Sequence, residues 1–257
     1  MYWVSYGGGV NSTALGVILC EGYLKLFPGH PTFEPFEFLF ADTGDEKPET
    51  YSYIEHQFKP YLAKHGKHLH VCRDKESVLE RWERLGVVGS RVLRTCTSHA
   101  KIRPMQRYRR ERDQSPIALV GIDAGEIQRA KGSLPPNDPV RYPLVELGIK
   151  RDECKEIIQR AGLCLPIKSG CWHCPFARKR EVLDLAKNRP DLMLRIIELE
   201  EASKDIHPVE PGRVRAQWGE RPAAAWLKMA QEEQKQGALN MDLGSDPEES
   251  PCGCYDG

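Results

Sequence analysis

Tyr2-Trp3-Val4-Ser5-Tyr6-Gly7-Gly8-Gly9-Val10-Asn11-Ser12-Thr13 is an aromatic and β-branched run, then three glycines, then small polar residues. The first five residues favour an extended strand. The apolar-rich segment Ala14 to Leu26 follows as a helix, so the order is strand, tight turn, helix. Asn11 or Ser12 can cap that helix with a side-chain oxygen. Gly7, Gly8 and Gly9 permit positive φ and a close approach of backbone to ligand. The first N–H groups of a helix lack intrahelical partners and carry partial positive charge, so such a turn suits a phosphate.

Further along, Phe36 to Ala41, His68 to Cys72 and Ile117 to Gly121 read as buried strands. Between and after them, Tyr51 to Ala63 (with Pro48 in its first turn), Glu76 to Leu85, and Lys150 to Ala161 read as helices. Phe176 to Lys187 and Leu192 to Ser203 extend the helical part. Strands alternating with helices imply an α/β fold, a parallel twisted sheet with helices on both faces. In such sheets ligands lie beyond the carboxyl ends of the strands. Gly7 to Ser12, Asp42 to Gly44 and Gly121 to Glu126 all follow strands directly and are expected at one crevice. The expected divisions are an α/β domain over 1–148, a helical extension over 149–230, and a polar, flexible, cysteine-bearing tail over 231–257.

Basic and acidic residues balance at 37 each in 257 residues, so no global field draws the protein to nucleic acid or membrane. No apolar stretch approaches a membrane span, and no signal-peptide pattern stands at the start, so a cytoplasmic protein with no membrane partner is expected. Nine cysteines are then better read as metal or redox groups than as disulfides. Cys20, Cys72 and Cys154 sit in apolar or periodic segments and read as buried thiols. Cys96, Cys171, Cys174, Cys252 and Cys254 stand beside Gly, Pro, Thr or Ser at element edges and are the chemical candidates.

Two nucleotide loops are excluded, because neither Gly-x-x-x-x-Gly-Lys-Ser/Thr nor Gly-x-Gly-x-x-Gly is present. Tyr6-Gly7-Gly8-Gly9-Val10-Asn11-Ser12 instead resembles the Ser-Gly-Gly-x-Asp-Ser loop of the adenine nucleotide α-hydrolase (PP-loop ATP pyrophosphatase) superfamily, with Gly7 and Asn11 in place of Ser and Asp. Asp42-Thr43-Gly44, a spacer and Pro48-Glu49-Thr50 resemble the segment after the second strand in the phosphoadenylyl-sulfate (PAPS) reductase family. Cys96-Thr97-Ser98-His99-Ala100-Lys101-Ile102-Arg103-Pro104 is similar to that family's Cys-Cys, three residues, Lys-x-x-Pro, with Thr97 replacing the second cysteine. Gly121-Ile122-Asp123-Ala124-Gly125-Glu126-Ile127-Gln128-Arg129 resembles a segment that carries basic residues toward substrate, but Asp123 replaces its early arginine while Arg129 keeps a cation. Arg103, Arg107, Arg109, Arg110 and Arg112 form a basic helix, either a solvated face or a surface for an anionic polymer.

Cys171-Trp172-His173-Cys174 sits on a turn, where two thiolates can bind one metal centre or form a redox pair. The resemblance adds Cys96 and implies a 4Fe-4S cluster, with Cys254, Cys252, Cys164 or a non-protein group as fourth ligand. Zinc, with His99 or His173 nearby in sequence, is the alternative metal. The same resemblance places Gly7, Gly8, Gly9, Asn11 and Ser12 on phosphate, Asp42, Thr43, Gly121 and Arg129 around ATP or another adenylyl nucleotide, and Lys101 on an anionic group, with Mg²⁺ as a further ligand. Pro251-Cys252-Gly253-Cys254 resembles the mobile reductase tail that carries the nucleophilic thiol, and both cysteines are candidates to deliver or receive sulfur. Two activities follow from the resemblance. One is ATP-dependent sulfur transfer to a nucleic-acid or small acceptor, as in tRNA thiolation and DNA phosphorothioation enzymes, with a separate sulfur donor. The other is sulfonucleotide reduction reset by a thioredoxin-like partner, and a non-catalytic nucleotide or iron–sulfur module is the third reading.

Overall fold

A computed structural model describes residues 1–26, 29–89, 91, 95–132, 139–206, 216–219 and 221–236. Its strands are β1 (Tyr2–Tyr6), β2 (Phe36–Asp42), β3 (Leu69–Arg73), β4 (Ile117–Val120) and β5 (Val140–Arg141). Its helices are α1 (Val10–Cys20), α2 (Pro48–Tyr53), α3 (Lys59–Lys64), α4 (Val78–Leu85), α5 (Arg103–Arg110) and α6 (Ile127–Gly132). They continue as α7 (Pro143–Glu146), α8 (Arg151–Arg160), α9 (Lys179–Asn188), α10 (Pro190–Ile206) and α11 (Ala223–Gln236). Two compact units emerge, one containing Met1–Lys75 and Cys96–Gly170, the other Glu76–Thr95 and the described part of Cys171–Gly253. No helix among the described residues is long and apolar enough to cross a membrane.

The first unit is a parallel five-stranded sheet in the order β3-β2-β1-β4-β5. Alternate residues of each strand face opposite sides. Val4, Tyr6, Phe36, Phe38, Phe40 and Leu119 pack on one side with α1, α3 and α8. Trp3, Leu39, Ala41 and Cys72 pack on the other against Met105 and Tyr108 of α5. Both faces are therefore covered, and the strands read as nearly continuous apolar runs for that reason. Helix α1 begins earlier than the apolar pattern suggests, at Val10, with Gly9 as N-cap. Asn11 and Ser12 thus lie inside its first turn rather than capping it, which frees their side chains for other partners. The helix stops at Cys20 because Gly22 turns left-handed at φ +68°.

The helix expected over 51–63 is interrupted by a π-helical turn at Ile54–Phe58. A second π turn, Thr97–Ile102, precedes α5. Each ends just before a Lys-Pro or Arg-Pro step, Lys59-Pro60 or Arg103-Pro104. A proline ring clashes with the carbonyl four residues earlier and offers it no N–H, and widening the preceding turn relieves both problems.

The second unit is helical. Helix α4 has a full capping box between Ser77 and Glu80. Helices α9, α10 and α11 pack on one another around Val182, Leu183, Met193, Ile196, Leu199 and Trp226. Helix α11 is not anticipated by the polar reading of the chain from Gln231 onward, and it continues to Gln236. Its first turns, Ala-Ala-Ala-Trp-Leu-Lys-Met-Ala from Ala223, are strong helix formers. Buried Glu200 of α10 accepts hydrogen bonds from Ala223 N and Gln217 N, both at 2.8 Å, and so fixes where α11 begins.

Candidate functional site

The loop after β1 is tight. Of its three glycines, Gly8 is left-handed, at φ +74°, while Gly9 is extended. A Cβ on Gly8 would lie 2.8 Å from Thr50 Cγ2, and one on Gly9 would lie 3.0 Å from Ser169 Oγ. No side chain larger than hydrogen fits there without moving those neighbours. Ser12 Oγ accepts from Gly7 N at 3.2 Å and donates to Gly9 O at 3.2 Å, which holds the loop closed on itself. Gly9 has no side chain with which to cap α1, so the first-turn N–H groups are left for another acceptor.

The strand order reverses between β1 and β4, and the segments leaving these two strands meet there. Gly121 is pressed against the α1 backbone, since its Cβ would fall 2.8 Å from Ser12 N. Asn11 Nδ2 donates to Asp123 Oδ2 at 2.8 Å and to Glu126 Oε2 at 3.3 Å. Arg151 Nη1, from the start of α8, donates to Asn11 Oδ1 at 3.4 Å. Arg129 Nη1 pairs with both Glu126 oxygens, at 2.7 and 2.9 Å. The two departures from the family pattern therefore explain one another. With Asp123 buried at 2% exposure, an aspartate at position 11 would oppose two carboxylates, whereas the asparagine supplies the donor.

Across β1 on the other side, Asp42 Oδ1 accepts from Gly44 N at 2.8 Å and from the Tyr51 hydroxyl at 2.5 Å. Burial, and then this bond to the carboxylate, raise the Tyr51 pKa. Thr43 is buried and donates to Glu46 Oε1 at 3.1 Å. Lys101 Nζ lies 3.3 Å from the same oxygen with its side chain 11% exposed, so Lys101 is not a solvated surface lysine. Two buried polar atoms in this region, Glu46 Oε2 and Thr50 Oγ1, have no hydrogen-bond partner among the described residues. Buried polar atoms are rarely left unmatched, and a bound polar group or water is the usual complement. Glu46, Ser169 and Arg151 have no distinguishing sequence signal, because each becomes relevant only through a contact across the fold.

The basic helix is not uniform. Arg109 is 5% exposed and its Nη1 donates to Ser5 Oγ at 3.4 Å beneath the sheet, so it is not part of a solvated face. Arg103, Arg107 and Arg110 are exposed. Burial pushes the thiols of Cys20, Cys72 and Cys154 up to about 12, as inert buried thiols require.

Cys96, Cys171 and Cys174 are partly exposed, as is Cys20, whereas Cys72 and Cys154 are buried. Cys96 belongs to the first unit and precedes its π turn, whereas Cys171 and Cys174 belong to the second. Cys174 N bonds Cys171 O at 3.1 Å, and Trp218 Nε1 bonds Cys174 O at 2.9 Å, which fixes the turn between the two thiols. Soft, accessible thiols on a fixed turn fit an iron–sulfur cluster or zinc. His173 is fully buried, with Trp82 and Trp172 rings 4.9 and 4.8 Å from its own. Cys164 is exposed. Cys252 and Cys254 lie outside the described residues.

Comparison with curated proteins finds no match. The model of the phosphoadenosine phosphosulfate reductase domain matches residues 1–131, just over half of the 257. That span runs from β1 through the loop at Gly7, the Asp42 turn, Lys101 and Arg129. Together with the parallel sheet and its β1/β4 switch point, the match shows an enzyme family of sulfonucleotide reduction and sulfur transfer. The chain belongs to the phosphoadenosine phosphosulfate reductase domain family.

Proposed function

We propose that the protein binds ATP with its phosphates over Gly7 to Ser12 and uses it to activate an acceptor for sulfur transfer. The observation that carries this reading is the Asn11–Asp123 pair at 2.8 Å. It puts a hydrogen-bonded carboxylate, rather than an arginine, at the position where the sulfonucleotide-reducing pattern has its early cation. Thr50 Oγ1, orphaned beside Gly8, supports a ligand at this loop. Asp42, Thr43 and Gly121 would shape the nucleotide pocket, with Lys101 and Arg129 facing anionic groups and Mg²⁺ bridging phosphates. In the first step an acceptor oxygen attacks the α-phosphorus, the bond to the β-phosphate breaks, and pyrophosphate leaves. Sulfur at the sulfide level then adds to the activated carbon, and AMP departs with the original oxygen. Cys96, Cys171 and Cys174 are the proposed ligands of a 4Fe-4S cluster, which would supply sulfur-handling chemistry. Cys252 and Cys254 are proposed to relay sulfur. A donor loads one thiol as a persulfide, and the other thiol attacks its inner sulfur and releases sulfide. A thioredoxin-like reductant then returns the resulting Cys252–Cys254 disulfide to thiols. The exposed Arg103, Arg107 and Arg110 suit a nucleic-acid acceptor.

The test is incubation of the anaerobically purified full chain with ATP, Mg²⁺ and candidate acceptors. Release of AMP and pyrophosphate in equal amounts is expected. Sulfite released from a sulfonucleotide in the presence of thioredoxin, with no pyrophosphate from ATP, selects the reductase instead. Neither product leaves the binding-module reading.

A further inference from the structure

Glu37 stands second in β2, and His68 and His70 flank the start of β3, the edge strand beside it. Leu39 pairs with His70 across these strands, and the side-chain period of two puts Glu37, His68 and His70 on one face. Asp42 lies five residues further along β2, about 16 Å away at strand rise, so this face is remote from the Gly7 loop. One ligand-type atom from each of the three side chains falls within 4.8 Å of the other two. His70 Nε2 is 3.4 Å from Glu37 Oε2. Two ligands about 2.05 Å from a tetrahedral ion are separated by about 3.3 Å, so this spacing is already that of two coordination corners.

The surroundings complete the pattern. Tyr108 Oη lies 2.9 Å from His70 Nδ1, which directs the other ring nitrogen, Nε2, toward Glu37. The buried Glu37 Oε2 atom has no hydrogen-bond partner among the described residues. The His68 ring meets that of His70 edge-on at 4.2 Å, and His68 is exposed, giving an ion a route from solvent. Two imidazoles and one carboxylate are a donor set for a borderline divalent ion. We infer that Glu37, His68 and His70 form a Zn²⁺ site that clips β2 to β3, with water in the fourth position and Tyr108 as a positioning residue.

The test is zinc binding to the full, reduced chain by equilibrium dialysis, with Co²⁺ as a spectroscopic substitute. His68→Ala is expected to bind one zinc fewer per chain than the wild type. Because residue 68 is exposed, its melting curve in a chelator should match the wild type. Glu37→Gln should weaken the same site at least 10-fold, and Tyr108→Phe by about 10-fold to 100-fold. The cobalt bands lost in His68→Ala should lack thiolate-to-metal charge transfer. Wild-type zinc stoichiometry and affinity in both His68→Ala and Glu37→Gln would overturn the inference. So would loss of a thiolate band in His68→Ala, because the missing ion would then belong to cysteine.

Discussion

Asn11 shows how a single side chain reconciles two departures from a family pattern. Its amide joins α1 to a carboxylate 112 residues away, and its oxygen receives an arginine 140 residues away. Asn11→Asp would replace a charge-assisted hydrogen bond by two opposed carboxylates in a site 4% exposed. Loss of a hydrogen bond to a charged group costs about 1.5–3 kcal/mol, so the substitution should lower stability by at least that much in denaturant melts. Asp123→Asn in the same chain should restore most of it, because the double variant again pairs a donor with an acceptor. Additive losses in the double variant would show that the pair is not coupled. Lys101 illustrates the same logic, since its ammonium faces Glu46 in a site that excludes most water.

Among the elements, the two π turns share one cause, a proline at the second position of the helix that follows each of them. At Thr97–Ile102 the widened turn carries Lys101 to Glu46, beside the proposed nucleotide pocket. Pro104→Ala should let this segment relax toward an α-helix, keeping far-UV helix content while weakening the proposed ATP binding at least 10-fold. Unchanged binding would separate the π turn from the site. In the helical unit the start of α11 depends on Glu200, whose pKa is raised by burial despite the two backbone N–H groups it accepts. A raised acid pKa means that the folded chain holds the proton more tightly than the unfolded chain. The stability tied to this group is therefore complete below the ordinary carboxylate range and is lost as pH rises through the elevated folded value. The difference in melting temperature between wild type and Glu200→Gln should fall steadily from mildly acidic pH toward neutrality. A difference that grows with pH would reverse the sign and refute this account.

On the scale of the whole molecule, the thiols sort by environment. Desolvation pushes the Cys20, Cys72 and Cys154 thiols up to about 12, while Cys96, Cys171 and Cys174 are partly exposed. The full chain purified without oxygen should carry iron and acid-labile sulfide, and Cys171→Ser should lose both while Cys72→Ser keeps them. Zinc in place of iron, measured by elemental analysis, would favour the alternative metal, and no metal in any form would remove the cluster from the proposal.

The fold was legible because burial on both sheet faces writes a local signal: Tyr2 to Tyr6, Phe36 to Ala41 and Ile117 to Gly121 are apolar in the order a parallel strand needs. The Gly7 loop and the Asp42 turn were legible for a related reason, since tight turns after strands restrict residue type at fixed offsets. The helix at Ala223 and the π turns escaped, the first because polar residues follow it, the second because a proline's strain acts on residues before it. What the sequence determined by itself was the α/β class, the tight glycine turn after the first strand and the burial of Cys72 and Cys154. Only the tertiary structure decided that Asn11 meets Asp123 and Arg151, that Lys101 meets Glu46, and that Glu37 meets two histidines. Those meetings depend on which strand lies beside which, in the order β3-β2-β1-β4-β5, and on helices that return to the sheet. Local periodicity constrains which face a residue takes, whereas the identity of its neighbour is set by packing between segments far apart in the chain.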